Sequence, residues 1–244
     1  MNYSNACYQI HSLSFNRKQT VDKSREILDS RVENLNLKTR AILNNPQLKA
    51  ITEFNELPGF LLDNNNVLGK LNYPEIGLWA SNYDALKTFL SSDKEYIFIL
   101  EDDIKLKNNF YDLMDSYFPQ IPSDMDCFMI FNPENIFFSR GYEDLQNESQ
   151  YYTGSQDVWI AHQTWSTGAI MFNKSGAQKV VDYIESGVGL KYDAFILGAD
   201  FNQYDPNSNT RSLKVYSLSK DAERLCTLDR YPSMIQGATI IENI

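Results

Sequence analysis

The chain has 244 residues, 43% hydrophobic and 22% charged, an ordinary globular balance with ample length for a core. A formal net charge of −10 works against nonspecific binding to nucleic acid or an anionic membrane, since both are themselves negative. No apolar run approaches the roughly 20 residues of a membrane span, and the amino end lacks the basic-then-apolar order of a signal peptide. Three separated cysteines, Cys7, Cys127 and Cys226, suit a reducing compartment, so a cytoplasmic location is expected.

In chain order, a strand is predicted near Cys7–Leu13, a helix from about Thr20 to Leu35 and a second strand at Lys49–Phe54. A helix starts at Pro74, a residue suited to a first helical position, with Glu75 favourable to the dipole. Ile76, Trp79, Ala80, Tyr83, Leu86 and Leu90 form its apolar stripe, which reads as core. Tyr96–Leu100 is a short β-branched and aromatic run, a strand buried on both faces. A helix near Phe110–Phe118 and an apolar strand at 126–131 follow. Residues 134–156 are polar and read as a long surface loop, with Tyr142, Tyr151 and Tyr152 placed to close over a ligand or to form a passive insertion. Strands at 158–164 and 168–172, a helix at 174–184, a shorter helix over Asp193–Phe201 and a strand at 213–218 complete the series. Strand–helix alternation in the first half predicts an α/β fold with a mostly parallel central sheet flanked by helices. One domain is expected over 1–244, about 1–130 being one half and about 131–244 the other. In such sheets ligands bind beyond the carboxyl ends of the strands.

Glu101, Asp102 and Asp103 fall at such an end. Three adjacent carboxylates repel one another, so either they lie in water at a turn or something positive binds there. The phosphate loop G-x-x-x-x-G-K-[ST], the nucleophile elbow G-x-S-x-G, H-E-x-x-H and C-x-x-C are all absent, and His11 and His162 are the only histidines. An oxygen-only cluster suits Mg²⁺ or Mn²⁺ shared with a phosphate-bearing substrate. The spacing Glu101-x-Asp103 directs both side chains to one side of an extended segment. The plainer reading is a solvated strand-to-loop turn.

The stretch "PEIGLWASNYDALKTFLSSDKEYIFILEDDIKL", 74–106, resembles the central motif of the family 25 glycosyltransferases, which include lipooligosaccharide and collagen galactosyltransferases. "STGAIMFNKSGAQKVVDYI" at 166–184, "KYDAFI" at 191–196 and "YPSMIQ" at 231–236 resemble later elements of that family, in its order. The family's Ser-His pair reads Ser81-Asn82 here, and its opening Ile-Asn-Leu is only faintly echoed in "IHSLSFNRK", 10–18.

The resemblance implies a GT-A-like fold and inverting transfer of a hexose, galactose or a related sugar, from a nucleotide-sugar, commonly UDP-linked, to an acceptor hydroxyl such as that of a glycan. It implies lipopolysaccharide biosynthesis as the setting and halves devoted to nucleotide-sugar and acceptor. Asp103, assisted by Glu101, would hold the cation, and Asp102 would orient the site or meet the ribose. Asp193 is the first choice for the base, with helix capping as its bland alternative, and Asp200 the second. Gln236 is matched to a diphosphate or metal contact, Thr167 and Gly168 to the donor sugar, and Arg17 to the donor diphosphate or a solvated turn. His162 is read as a metal or acceptor contact or as a structural residue, and Trp165 as a sugar-stacking or core residue. The alternatives are a sugar-phosphate nucleotidyltransferase and a catalytically silent sugar- or partner-binding module, the latter kept open by Asn82.

Overall fold

The structure, a computed structural model, describes residues 1–12, 17–40, 73–131, 153–161, 167–186, 192–197, 213–219 and 221–229. The strand expected at 49–54 therefore lies outside the described residues.

The chain opens with strand β1 (Ala6–His11), helix α1 (Lys18–Asp29) and a two-residue strand β2 (Glu33–Asn34). Helix α2 (Tyr73–Leu90) leads into β3 (Tyr96–Glu101), β4 (Ile104–Leu106), α3 (Phe110–Tyr117) and β5 (Cys127–Met129). Then come β6 (Val158–Ile160), β7 (Ala169–Asn173), α4 (Lys174–Ser186), α5 (Tyr192–Leu197), β8 (Val215–Leu218) and β9 (Cys226–Leu228).

Seven strands form one sheet in the order β2-β1-β3-β7-β5-β8-β6. β1 pairs in parallel with β2 and β3, and β5 with β8, while β7 and β6 run against their neighbours. Five of the seven strands thus share one direction, and the α/β layer with a mostly parallel sheet is as expected. Alternation of side chains across the sheet divides the core in two. Cys7, Ile97, Ile99, Ile170 and Phe172 pack under α2, α4 and α5, whereas Tyr8, Phe98, Leu100 and Met171 pack with α1 and α3. No helix among the described residues is long and apolar enough to cross a membrane. The three cysteines are buried and form no disulfide with one another.

Two differences from the sequence reading have local causes. The first helix ends at Asp29 rather than running to Leu35. Asn36 adopts a left-handed φ of 53°, its N–H donates to the Asn34 side chain, and Leu35 N–H donates to the Tyr8 carbonyl. An Asn-x-Asn turn feeding a sheet edge overrides the helical spacing of "RVENLNL". The second is the pair β4–β9, an antiparallel two-stranded sheet joining residues 104–106 to 226–228. Segments so short and so far apart carry no periodicity from which to foresee their pairing.

α2 is the main scaffold of one face. Ile76, Trp79, Ala80 and Leu86 of its stripe are buried, and Tyr83 and Leu90 are partly so. Lys174, at the start of α4, donates to the carbonyls of Phe89, Leu90 and Ser92 and so satisfies acceptors left over at the helix's end.

Candidate active site

β1 and β3 end side by side, with His11 in register with Glu101. Both residues continue the odd-numbered positions of their strands, so they face the layer of α2, α4 and α5. Beyond Glu101 the chain turns through Asp102 and Asp103 into β4. The sequence reading had placed Glu101–Asp103 at the carboxyl end of a central strand, and the structure puts them there.

Arg17 approaches from the start of α1, on the other layer. Its Nη1 lies 2.6 Å from Asp102 Oδ1 and 3.3 Å from Asp103 Oδ2, and the guanidinium is 6% exposed. A cation at a helix amino terminus opposes the dipole, and the two carboxylates offset that cost. Part of the positive charge that three adjacent acids demand is therefore built into the chain.

The rest of the acidic charge is less well compensated. Glu101 is only partly exposed, and its pKa is pushed up to about 8, first by burial and then by repulsion from Asp103, Asp193 and Asp102, with Arg17 opposing. Asp103 is also raised, by burial above all. Asp103 Oδ1 is buried with no hydrogen-bond partner among the described residues.

β7 brings in the opposite wall. Glu101 N–H donates to the Gly168 carbonyl at 2.7 Å, and the Thr167 hydroxyl donates to Asp193 Oδ1 at 2.9 Å. Asp193 lies in the first turn of α5. That short helix is seated by aromatic contacts. Tyr192 meets Trp79 edge-on with ring centres 4.8 Å apart, and Phe195 stacks on Tyr183 at 3.8 Å. Arg17, Glu101, Asp102, Asp103, Thr167, Gly168 and Asp193 thus gather around the ends of β1 and β3. Asp200, Gln236, His162 and Trp165 lie outside the described residues, as does 134–152 of the long loop.

Four neighbours had no site role in the sequence reading. Asp229, just after β9, donates its N–H to the Asp103 carbonyl at 2.7 Å, accepts from the Thr20 hydroxyl and adds to the charge that raises Asp103. Buried His11, Asn82 and Tyr192 border Glu101 or each other, as their mutual electrostatic effects show. Asn82 and Tyr192 lie inside the quoted family-like stretches, but no motif marked His11 or Asp229, and what stands next to each is decided by pairing or packing of distant segments.

Other parts of the family pattern prove to be architecture. The Ser81 hydroxyl accepts from Arg40 N–H at 2.8 Å and donates to the Arg40 carbonyl at 3.0 Å, clamping residues 35–40 to α2. In "NKSGA", Gly176 N–H donates to the Asn173 side chain, and a Cβ on Gly176 would stand 2.1 Å from the Asp126 carbonyl oxygen. At the position where the family pattern has His, Asn82 of α2 stands beside an imidazole delivered from strand β1, that of His11.

Among the described residues no three His, Cys, Asp or Glu side chains are grouped so that they could by themselves hold a metal ion. The chain was compared with known protein families and with curated proteins. No curated protein matches it. The profile of glycosyltransferase family 25 (LPS biosynthesis protein) matches residues 24–196, which include α2, Glu101–Asp103 at the end of β3, β7 with α4, and all but the last residue of α5, but neither 10–18 nor 231–236. With well over half of its length matched, the chain belongs to glycosyltransferase family 25.

Proposed function

We propose that this glycosyltransferase is a metal-dependent, inverting hexosyltransferase that moves galactose or a related sugar from a UDP-sugar to an acceptor hydroxyl, such as that of a glycan. Family membership makes the chain a glycosyltransferase. The observation that carries the finer reading is the convergence of Glu101, Asp103, Asp193, Thr167 and Arg17 on the ends of β1 and β3.

The donor set fits a hard divalent cation. Asp103 Oδ1 is a buried acceptor to which nothing donates, and Glu101 adds a second carboxylate held near neutrality by its surroundings. Asp103, assisted by Glu101, would hold Mn²⁺ or Mg²⁺, which when bound supplies Lewis-acid stabilisation to a diphosphate leaving group. Arg17 sets the orientation of Asp102 and places a fixed positive charge beside the acids, where the donor diphosphate would lie. The Thr167 hydroxyl holds the Asp193 carboxylate at the wall beside the acids, where Asp193 would receive the acceptor proton. Gly168, whose carbonyl is engaged by Glu101, keeps that wall close to the acids. Asp200 as a second base and Gln236 at the diphosphate are proposed from the family resemblance alone.

The test is release of nucleoside diphosphate from a panel of nucleotide-sugars, with and without Mn²⁺. UDP-sugars should be hydrolysed slowly by the wild type, faster once an acceptor is found, and only with the cation. Asp193→Asn keeps the partner of Thr167 and should cut turnover by about 10²–10⁴-fold while donor affinity persists. Consumption of no nucleotide-sugar under any cation would overturn the reading. An Asp193→Asn protein with full turnover would move the base elsewhere.

A further inference from the structure

Buried polar groups in folded proteins find partners almost without exception, so those that do not mark something. In this molecule they cluster. His11 Nδ1 and Nε2, Asn82 Oδ1, Asp103 Oδ1 and Tyr192 Oη are buried without a hydrogen-bond partner among the described residues, and only Ser219 Oγ shares that condition away from Glu101. Neighbouring polar groups on the same elements are fully engaged. Gln9, two residues before His11, holds Leu37 through both its side-chain oxygen and nitrogen, and Ser81, next to Asn82, holds Arg40. The scaffold around the unpartnered atoms is therefore satisfied.

We propose that His11 and Asn82 form a hydrogen-bonding subsite beside Glu101 that receives an uncharged, hydroxyl- or amide-bearing part of the nucleotide-sugar donor. This rests on the donor reading above. His11 is 7% exposed and Asn82 1%, and the two stand together at the carboxyl end of β1. The Asn82 amide nitrogen is committed to the Leu78 carbonyl at 2.9 Å, and its oxygen is buried with nothing donating to it among the described residues. The Asn82 side chain is near enough to act on the ring, yet neither reaches hydrogen-bond geometry with the other. Between them they offer one amide acceptor and, in a neutral imidazole, one donor and one acceptor. A hydroxyl or amide of a sugar or nucleoside both donates and accepts and answers that set. The fixed cation, Arg17, lies on the opposite layer against Asp102 and Asp103. The neutral and charged parts of a donor thus have separate anchors on the two sides of β3.

The experiment is calorimetric titration of uridine, UDP and UDP-galactose, with Mn²⁺, into wild type, His11→Leu, His11→Gln and Asn82→Leu. UDP-galactose should bind at least tenfold more weakly to both leucine variants, and His11→Gln, which keeps a donor and an acceptor, should recover part of the loss. The unfolding midpoints of the ligand-free leucine variants should match or exceed the wild type, because an unpartnered buried polar group has been removed. A loss already present with uridine assigns the subsite to the nucleoside, and one seen only with UDP-galactose assigns it to the sugar. If the wild type binds and the leucine variants bind equally, a buried water serves these atoms and the proposal alone fails. If their midpoints drop along with binding, the pair is structural and the proposal also fails. If the wild type binds none of the three, the UDP-donor reading itself falls and takes the subsite with it.

Discussion

Glu101 and His11, side by side in register, are perturbed in opposite senses. Glu101 is raised to about 8, so relative to an unfolded carboxyl near 4.5 the folded state holds its proton longer, and stability falls as pH rises through that interval. His11 is lowered to about 4, so relative to an unfolded imidazole near 6.5 the folded state resists protonation, and stability falls as pH drops from 6.5 toward 4. The two dependences oppose one another between pH 4.5 and 6.5. In protein stripped of divalent ions, denaturant titrations across that window should show Glu101→Gln losing stability on acidification and His11→Leu gaining it, each by about 1–2 kcal/mol. Parallel behaviour of the two variants would show that the environment of this pair has been misassigned. Glu101→Gln should also be more stable than wild type at pH 8 while losing transferase activity, the usual exchange between a strained site and its function. The acids themselves were legible in the sequence, as three charges ending an apolar strand. Their partner Arg17 was legible only as a candidate, and His11 not at all, since strand register decides what stands next to what.

Trp79 of helix α2 and Gly176 at the start of α4 carry the site without touching substrate in this account. Trp79, recognised from helical spacing as core, is buried and props Tyr192, which fixes the first turn of α5 and hence Asp193. Trp79→Leu should therefore weaken turnover more than donor affinity, besides costing about 3 kcal/mol for the cavity and lost ring contacts. A matched loss in both, measured by steady-state kinetics beside a direct binding titration, would show that α5 is positioned by other means. At α4, Gly176, which lies in the family-like stretch 166–184, marks a close approach. Its missing Cβ makes room for the Asp126 carbonyl, while the Asp126 carboxylate takes hydrogen bonds from Ser175, Lys179 and the Lys214 N–H. Gly176→Ala should destabilise by about 3 kcal/mol or more in chemical denaturation, because backbone rather than a flexible side chain must yield. A near-neutral result would mean that α4 slides easily on β5. These elements were predictable in kind and nearly in extent, since long periodic segments advertise themselves. The overrun of α1 shows the limit, where two asparagines at a sheet edge outweigh a helical spacing.

Across the whole molecule, the sheet brings two layers to a common edge: α1 delivers Arg17 from one side, and α2 and α5 deliver Asn82 and Asp193 from the other. The parallel strands β1 and β3 end together, and β7 runs back between β3 and β5 to present Thr167 and Gly168. That convergence explains why a motif spread over more than a hundred residues is needed to specify one small site. Alternation of strands and helices made the layer readable from the sequence, whereas the β4–β9 pairing that brings Asp229 to Asp103 depends on contacts over more than a hundred positions. The most direct measurement of the central claim is calorimetric titration of UDP into wild type and Asp103→Ala, each with Mn²⁺ and with chelator. The account predicts binding to the wild type that needs the cation, and loss of that cation-dependent binding in Asp103→Ala. Equal UDP affinity in all four combinations, or none in any, would contradict it.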